Sequence, residues 1–424
     1  MPTTSHFAEA SPAQAGPAGR LGLMSREASF WVVALLMFLI IVASSVPTPL
    51  YSVYQEKWHF SSVTVTAVFA VYALVLLAAL LVVGRLSDYF GRRPVLIAGL
   101  AISAAACVVW WLAPGTGALY AARAMQGAGV GLATGAIGAA LLELEPAGRH
   151  LAGLLTSGSQ MLGLAVGALG AAALVQYAPY PTKLVWWLLL AAFAVGLLAV
   201  VLMPEPGGSK AGWLASLRPQ VRVPRAVRAT FAAALPSLVA VWALSAFYLS
   251  LGPELAAQLL HSGNLLWGGL AVFLLVGVGS VTAVTVSSIA PRACMVGGCL
   301  VLLLGTGLTL GAIAGSLPAP FLLGTAVAGV GFGPAWTGAY RLLVSDVAPG
   351  DRAGLVAAIF IVAYLSFSVP VVVAGLASQH FGIRDTALVY SAAVALLVAV
   401  AAALTGLRRQ PRGNPGPENG TPNS

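Results

Sequence analysis

Twelve apolar runs follow one another along the chain with short polar connections, near residues 29–50, 62–83, 94–113, 118–143, 151–176, 184–203, 228–250, 265–288, 293–315, 318–344, 354–378 and 385–407. Each is long enough to cross ~30 Å of hydrocarbon as a helix. Inside a bilayer every backbone N–H and C=O must find its partner within the protein. A helix meets that demand within a single run. The expected fold class is all-α and integral to the membrane, with twelve transmembrane helices and both termini on one side. Composition points the same way: 59% of the 424 residues are hydrophobic, 8% are charged, and the mean hydropathy is +0.93.

Positive charge gathers in the loops of one side. Of the 21 Lys and Arg residues, seventeen fall in tails and loops on the side of the termini. Lys57, Lys183 and Arg384 fall on the other side, and Arg123 lies within a span. An excess of that size predicts cytoplasmic termini. Trp58, Trp110, Trp111, Trp186, Trp187 and Trp267 cluster at the predicted outer ends, as an interfacial aromatic belt requires. Residues 1–28 and 408–424 read as disordered cytoplasmic tails. The segment 204–227, with Pro204, Pro206, Gly207, Gly208 and several basic residues, reads as a cytoplasmic linker. It separates two groups of six spans, 29–203 and 228–407.

Several function classes are excluded at this level. A sequence pI of about 9.8 would suit nucleic acid, but the cations are scattered between apolar runs, so no nucleic-acid partner is expected. Cys107, Cys294 and Cys299 lie in apolar runs without ligand spacing and read as small packing residues. None of the three lysines follows a Gly-x-x-x-x-Gly stretch, so the chain has no ATP-binding phosphate loop. His6, His59, His150, His261 and His380 all fall outside the spans, and no two form a ligand pair on one helix. No cofactor, metal or enzymatic activity is expected. The expected partners are a small-molecule substrate and the lipid bilayer, and the expected working unit is a monomer.

The loop Gly84-Arg-Leu-Ser-Asp88-Tyr-Phe-Gly91-Arg92-Arg93-Pro94 packs one acid and three cations between the second and third spans. Its pattern, Gly-x-x-x-Asp-x-x-Gly-Arg-Arg, resembles the signature loop of the major facilitator superfamily. That resemblance implies two pseudo-symmetric six-helix bundles around a central cavity, working by alternating access. It also implies that Gly84, Asp88, Gly91, Arg92 and Arg93 belong to a cytoplasmic gate. Asp88 would contact the start of the eleventh helix, near Arg352–Gly354, where a carboxylate is stabilised by a helix N-terminus. Arg92 would pair with an acid at the inner end of the fourth helix, Glu143 in preference to Glu145.

Duplication is visible across the linker. Gly127-x-Gly129-x-Gly131 is matched 202 residues later by Gly329-x-Gly331-x-Gly333, and Pro146 and Arg149 are matched 203 residues later by Pro349 and Arg352. The run Arg123-x-x-Gln126-Gly127 resembles the superfamily's fourth-helix motif. An intramembrane Arg costs about 2.5–3.5 kcal/mol on insertion scales, which makes Arg123 a functional candidate. The fifth span, Gly158 to Gly170, only partly resembles the antiporter motif of drug exporters, because Leu164 stands where that motif has Pro. In the superfamily the first, fourth, seventh and tenth helices line the cavity. Candidate substrate contacts there are Arg123, Gln126, Trp242, Tyr248, Trp336 and Tyr340, with Ser44, Ser45, Tyr51, Thr134, Ser245 and Thr337 as further polar positions. One cation among rings and hydroxyls suits an amphipathic or aromatic organic molecule, anions included.

The expected function is secondary transport of a small organic solute in a bacterial inner membrane, with efflux favoured over uptake. An uptake permease and a non-transporting sensor are the alternatives. None of the twelve acidic residues lies mid-span. Transport is therefore expected to run without a mid-membrane carboxylate.

Overall fold

A computed structural model describes residues 23–148, 151–207, 212–217, 219–345 and 347–407. Most of the two expected tails, together with Arg149 and part of the linker, lies outside the described residues.

The first crossing is α1 (Arg26–Ser45) continued by α2 (Pro47–Trp58), with Pro47 at the junction. Ser25 caps α1 by accepting the Ala28 N–H. The next crossings are α3 (Ser62–Val83), α5 (Arg92–Leu112), α6 (Thr116–Leu144), α7 (Ala152–Tyr177) and α8 (Leu184–Leu202). A single turn, α4 (Ser87–Phe90), lies in the charged loop between α3 and α5. The second half repeats the plan. It runs through α9 (Arg228–Ser250) with α10 (Gly252–Leu260), and α11 (Leu266–Val272) joined by a π turn to α12 (Val278–Thr285). It ends with α13 (Pro291–Ala314), α14 (Pro318–Val344) and α15 (Pro349–Gly406).

Eleven helices among the described residues are long and apolar enough to cross a membrane, not the expected twelve. The difference lies in α15, whose 58 residues would extend ~87 Å if straight. Gly382, at φ 79° and ψ 162°, breaks it. Arg384 donates to the Ile313 carbonyl at one end of α13, and Arg292, at the other end of α13, donates to the Gly406 carbonyl. The chain therefore reverses at Gly382 and α15 supplies two crossings. A loop was expected over 379–384, yet one left-handed glycine is enough to make the turn.

Glycines set how the helices pack. Between helices in lipid no hydrophobic force operates as it does in water, so close backbone approach replaces it. A Cβ at Gly127 would collide with the Tyr72 carbonyl of α3, and one at Gly131 would lie 2.6 Å from the Ala79 Cβ of α3. A Cβ on Gly129, between them, would strike Ser103 and the Gly99 carbonyl of α5. The second triplet behaves alike. Gly329 abuts the Leu274 carbonyl and Gly333 the Gly279 carbonyl, both on the α11–α12 crossing, while Gly331 abuts α13 at Leu302 and Gly298. In each half, the fourth helix presents its first and third glycines to the second helix and its middle glycine to the third. The 202-residue offset is thus a duplication of packing as well as of letters. Cys107, Cys294 and Cys299 are free thiols buried in this packing.

Substituting Gly333 by Ala should force α14 and α12 apart and cost about 1–3 kcal/mol, an overpacking effect. Gly307→Ala serves as control, since nothing lies within 4 Å of a Cβ there. Thermal denaturation in detergent should show a lower midpoint for Gly333→Ala and an unchanged one for the control. Equal midpoints would mean that the glycine contact is slack.

Candidate functional site

Two regions bring the expected site residues together, a charged network at the Arg-rich face and an aromatic cavity between the bundles.

At the Arg-rich face the single turn α4 puts Ser87 and Asp88 beside the start of α5. The Arg92 Nη1 donates to Asp88 Oδ1 at 2.5 Å and to Ser87 Oγ at 2.8 Å. Its Nη2 donates to Glu143 Oε1 at 2.8 Å, and Nε lies 3.2 Å from both Glu143 oxygens. One planar guanidinium therefore holds two acids, which the fork geometry of Arg permits. Gly91, at φ +94°, closes the turn, and a Cβ there would meet the Glu205 carboxylate at 2.9 Å. Gly84 ends α3 against Gly135 of α6, and Arg93 donates to the Val201 carbonyl.

Asp88 does not reach the start of α15 in this conformation. Its carboxylate is engaged by Arg92 within its own loop, and among the described residues no bond joins it to Arg352–Gly354. The linker occupies that position instead: the Arg222 N–H donates to the Gly354 carbonyl at 3.2 Å, and its guanidinium lies 3.6 Å from Asp351.

Glu205 carried no role in the sequence reading. Its carboxylate accepts the backbone N–H groups of Arg92, at 2.7 Å, and Arg93, at 3.1 Å, and so caps α5 from 112–113 residues away in sequence. The usual cap is the side chain of the residue just before the helix. Here that residue is Gly91, which has none, and the acid comes from the linker.

The cavity has a volume of about 120 Å³ and is lined by Tyr72, Trp242, Trp336, Phe360, Tyr364 and Phe367, among others. Trp242 is its hub, with ring centroids 5.3 Å from Trp336, 5.1 Å from Tyr364 and 5.7 Å from Phe367, all edge-to-face. Thr134, Gln160 and Ser245 add polar groups, and among the described residues no charged side chain lines it.

Of the expected contacts, Trp242 and Trp336 line this cavity and four others do not. Tyr248 turns its hydroxyl to Thr325 Oγ1, at 2.9 Å, and is taken up between α9 and α14. Tyr340 stands behind Trp336, with its centroid 5.8 Å away. Arg123 is 0% exposed. It donates from Nε to the Tyr51 hydroxyl at 2.7 Å, and from Nη1 to the Ser44 carbonyl at 2.8 Å and Gln126 Oε1 at 3.3 Å. Rings of Tyr51, Phe69, Tyr72 and Trp110 surround it within 6 Å. Arg123 and Gln126 thus form a buried core inside the first bundle, where helix α1 and these rings engage the guanidinium and leave only Nη2 without a hydrogen-bond partner.

The bundles meet at the face opposite the Arg-rich one. Ser62 Oγ donates to Glu254 Oε2 at 3.1 Å, the Leu265 N–H donates to Gln176 Oε1 at 3.0 Å, and Asn264 donates to the Tyr177 hydroxyl at 3.2 Å. Burial pushes the Glu254 carboxyl above its ordinary range, and the Ser62 bond offsets only part of that.

The profile described as Major Facilitator Superfamily matches residues 33–369. The chain belongs to this superfamily. A Mycobacterium tuberculosis relative, the uncharacterized MFS-type transporter Rv1250, is 30% identical over 29% of this chain and 21% of its own length. An Aspergillus fumigatus relative, the major facilitator superfamily multidrug transporter mfsC, is 38% identical over 18% of this chain and 15% of its own length. The matched stretch thus spans about a fifth or less of these curated relatives. Among solved structures, a point mutant of the nucleoside transporter NupG overlays 89% of this chain and 99% of its own, with a TM-score of 0.68 at 13% identity. At that identity the likeness shows a shared major facilitator fold.

Two outcomes follow from this geometry. Glu205→Ala should remove the α5 cap and lower stability by about 0.5–2 kcal/mol, read as a lower thermal midpoint. An unchanged midpoint would mean that water caps α5 as well.

The second concerns Glu254. A carboxyl whose pKa is raised in the closed arrangement favours closure fully below its ordinary value, near 4.5, and loses that contribution as pH rises through the raised value. Spin labels on Lys57→Cys and Gln258→Cys should therefore move apart as pH rises. Adding Glu254→Gln, permanently neutral, should flatten the response. A separation that ignores pH would remove Glu254 from the seal.

Proposed function

We propose that the protein is a secondary transporter that moves a small aromatic or amphipathic solute by alternating access. The single observation behind this reading is the aromatic cavity between the two bundles, sealed by Ser62–Glu254 and its neighbours at one face. We take the Arg-rich face as cytoplasmic, on the excess of cations there. The membrane is then read as a bacterial inner membrane and the direction as outward. The multidrug name of the Aspergillus relative supports that direction.

The Trp242 hub suits ring recognition. A ring held edge-on by Trp242 and Trp336 gains about 0.5–1.5 kcal/mol beyond its area burial. The charged network would then act as a latch in the transport cycle, with Arg92 exchanging partners as the Arg-rich side opens and closes. No Asp or Glu belongs to the buried set among the described residues. A solute with one negative charge would be driven outward by the membrane potential alone, at about 2.3 kcal/mol per 100 mV.

Proteoliposomes test this with a panel of fluorescent aromatic solutes that are neutral, cationic and anionic. At least one should show saturable flux, and Trp242→Ala should raise its half-saturation about 2- to 12-fold. With an anionic solute, flux should follow an imposed potential and ignore a pH gradient at zero potential. No saturable flux for any member of the panel would sink the transport reading.

A further inference from the structure

Beside the central cavity, on the side of the Arg-rich face, lies a second recess of about 380 Å³. Its walls come from three elements: Gly158 and Met161 of α7, Ser280 and Ser287 on and just after α12, and Trp336, Thr337 and Arg341 of α14. Met161 and Trp336 line both spaces, so the two are adjacent.

Arg341 is the cation that lines this recess. Its Nη1, like the Nη2 of Arg123, is closed off from solvent and has no hydrogen-bond partner. Among the described residues it forms no ion pair, and no Asp or Glu lines the recess. Arg92, by contrast, holds two acids. Arg123 spends its Nε and Nη1 on Tyr51, Ser44 and Gln126 and is walled in by rings. A buried donor left unbonded is costly. The neighbouring hydroxyls donate to carbonyls, Ser280 to Gly158 and Thr337 to Gly333, and neither accepts from this Nη1. A guanidinium in that setting is complementary to a planar or trigonal oxyanion that can take two parallel N–H bonds.

The spacing along α14 tells what the anion is attached to. Trp336 and Arg341 are five residues apart, a rise of ~7.5 Å on one helix. An anionic group seated on Arg341 would leave an attached ring beside Trp336, with Trp242 5.3 Å further on. We propose that Arg341 is the charge-reading residue of the transport site and that the solute is an aromatic monoanion, a carboxylate or a sulfonate. This deepens the transport reading above and rests on it. It also moves the anion site from Arg123, where the sequence placed it, to the second bundle.

The same chemistry could come from an anionic lipid headgroup, so the test separates the two sources. Titration calorimetry would compare naphthalenesulfonate with its neutral analogue naphthalenesulfonamide. The protein would be held in phosphatidylcholine nanodiscs, with and without phosphatidylglycerol. The sulfonate should bind about tenfold to hundredfold tighter than the sulfonamide, as expected for a hydrogen-bonded ion pair. Arg341→Gln should erase that difference while leaving sulfonamide affinity unchanged, and Arg341→Lys should keep part of it. The thermal midpoint of each variant checks that it is folded, and the Lys variant carries the test should Gln fail to fold.

Equal affinities in the wild type, including no binding of either compound, overturn the assignment. So does a sulfonate preference that survives Arg341→Gln. A preference that disappears when phosphatidylglycerol is present gives the cation to lipid and overturns it too. Flux of neutral or cationic members of the solute panel would leave transport standing in all three cases, so the two readings fail separately.

Discussion

The close approach of glycine backbones is the contact on which the rest of the architecture depends. In hydrocarbon, leucine gains nothing by leaving lipid for another helix, so helices associate through packing and polar contacts. Here the fourth helix of each half touches its second and third helices through three glycines with nothing between the backbones. That contact fixes where every other side chain on α6 and α14 must point. Thr134 reaches the cavity because Gly127 and Gly131 hold the adjoining strip of α6 against α3. Trp336 reaches it because Gly333 locks onto Gly279 one turn earlier. The cavity is the space left between two rigid halves, each built by the same rule.

The charges follow a second rule, set by where the acids are. The acids that engage Arg92 and Arg222 lie near the Arg-rich face: Asp88 and Glu143 on Arg92, and Asp351 near Arg222. Those near the linker tie loops to helix ends, as Glu205 ties the linker to α5. Within the bundles the cations have no acids and depend on other chemistry. Arg123 takes a carbonyl, an amide, a phenol and four rings, a substitute for a counter-ion that costs no second buried charge. Arg341 has no such cage. Of these two arginines, one is held by its cage and the other lines a recess near the end of α14.

Much of this was legible in the letters, and the reason is periodicity. Span length, loop charge and the glycine triplets are local patterns, and a bilayer punishes departures from them. The pairing of Arg92 with Glu143 was named from motif resemblance, and the two residues do meet. What was not legible depends on contacts distant in sequence. Glu205 looked like one more linker acid, because nothing nearby says that the linker folds back onto α5. Tyr248 shares its helix with Trp242, and only Thr325, 77 residues on, decides that it turns away. Gly382 was one glycine among 48, and only its positive φ marks it as the reversal between two crossings. Arg341 was counted as one more loop cation, since its position past Trp336 gave no hint of a recess.

The seal at the face opposite the Arg-rich one shows why such a molecule can move. Its recorded interbundle bonds are few and mostly neutral: Ser62 to Glu254, Gln176 to Leu265, and Tyr177 to Asn264. Each such bond contributes about 0.5–1.5 kcal/mol net, because water replaces it when the bundles part. A few kcal/mol is the scale on which two conformations of one protein can both be populated. The glycine contacts inside each bundle are close backbone packing, which water does not replace. The bundles therefore stay intact while the seams between them exchange. A strong ion pair across the seal would have locked it shut; a partly buried carboxyl with a serine partner leaves it able to open.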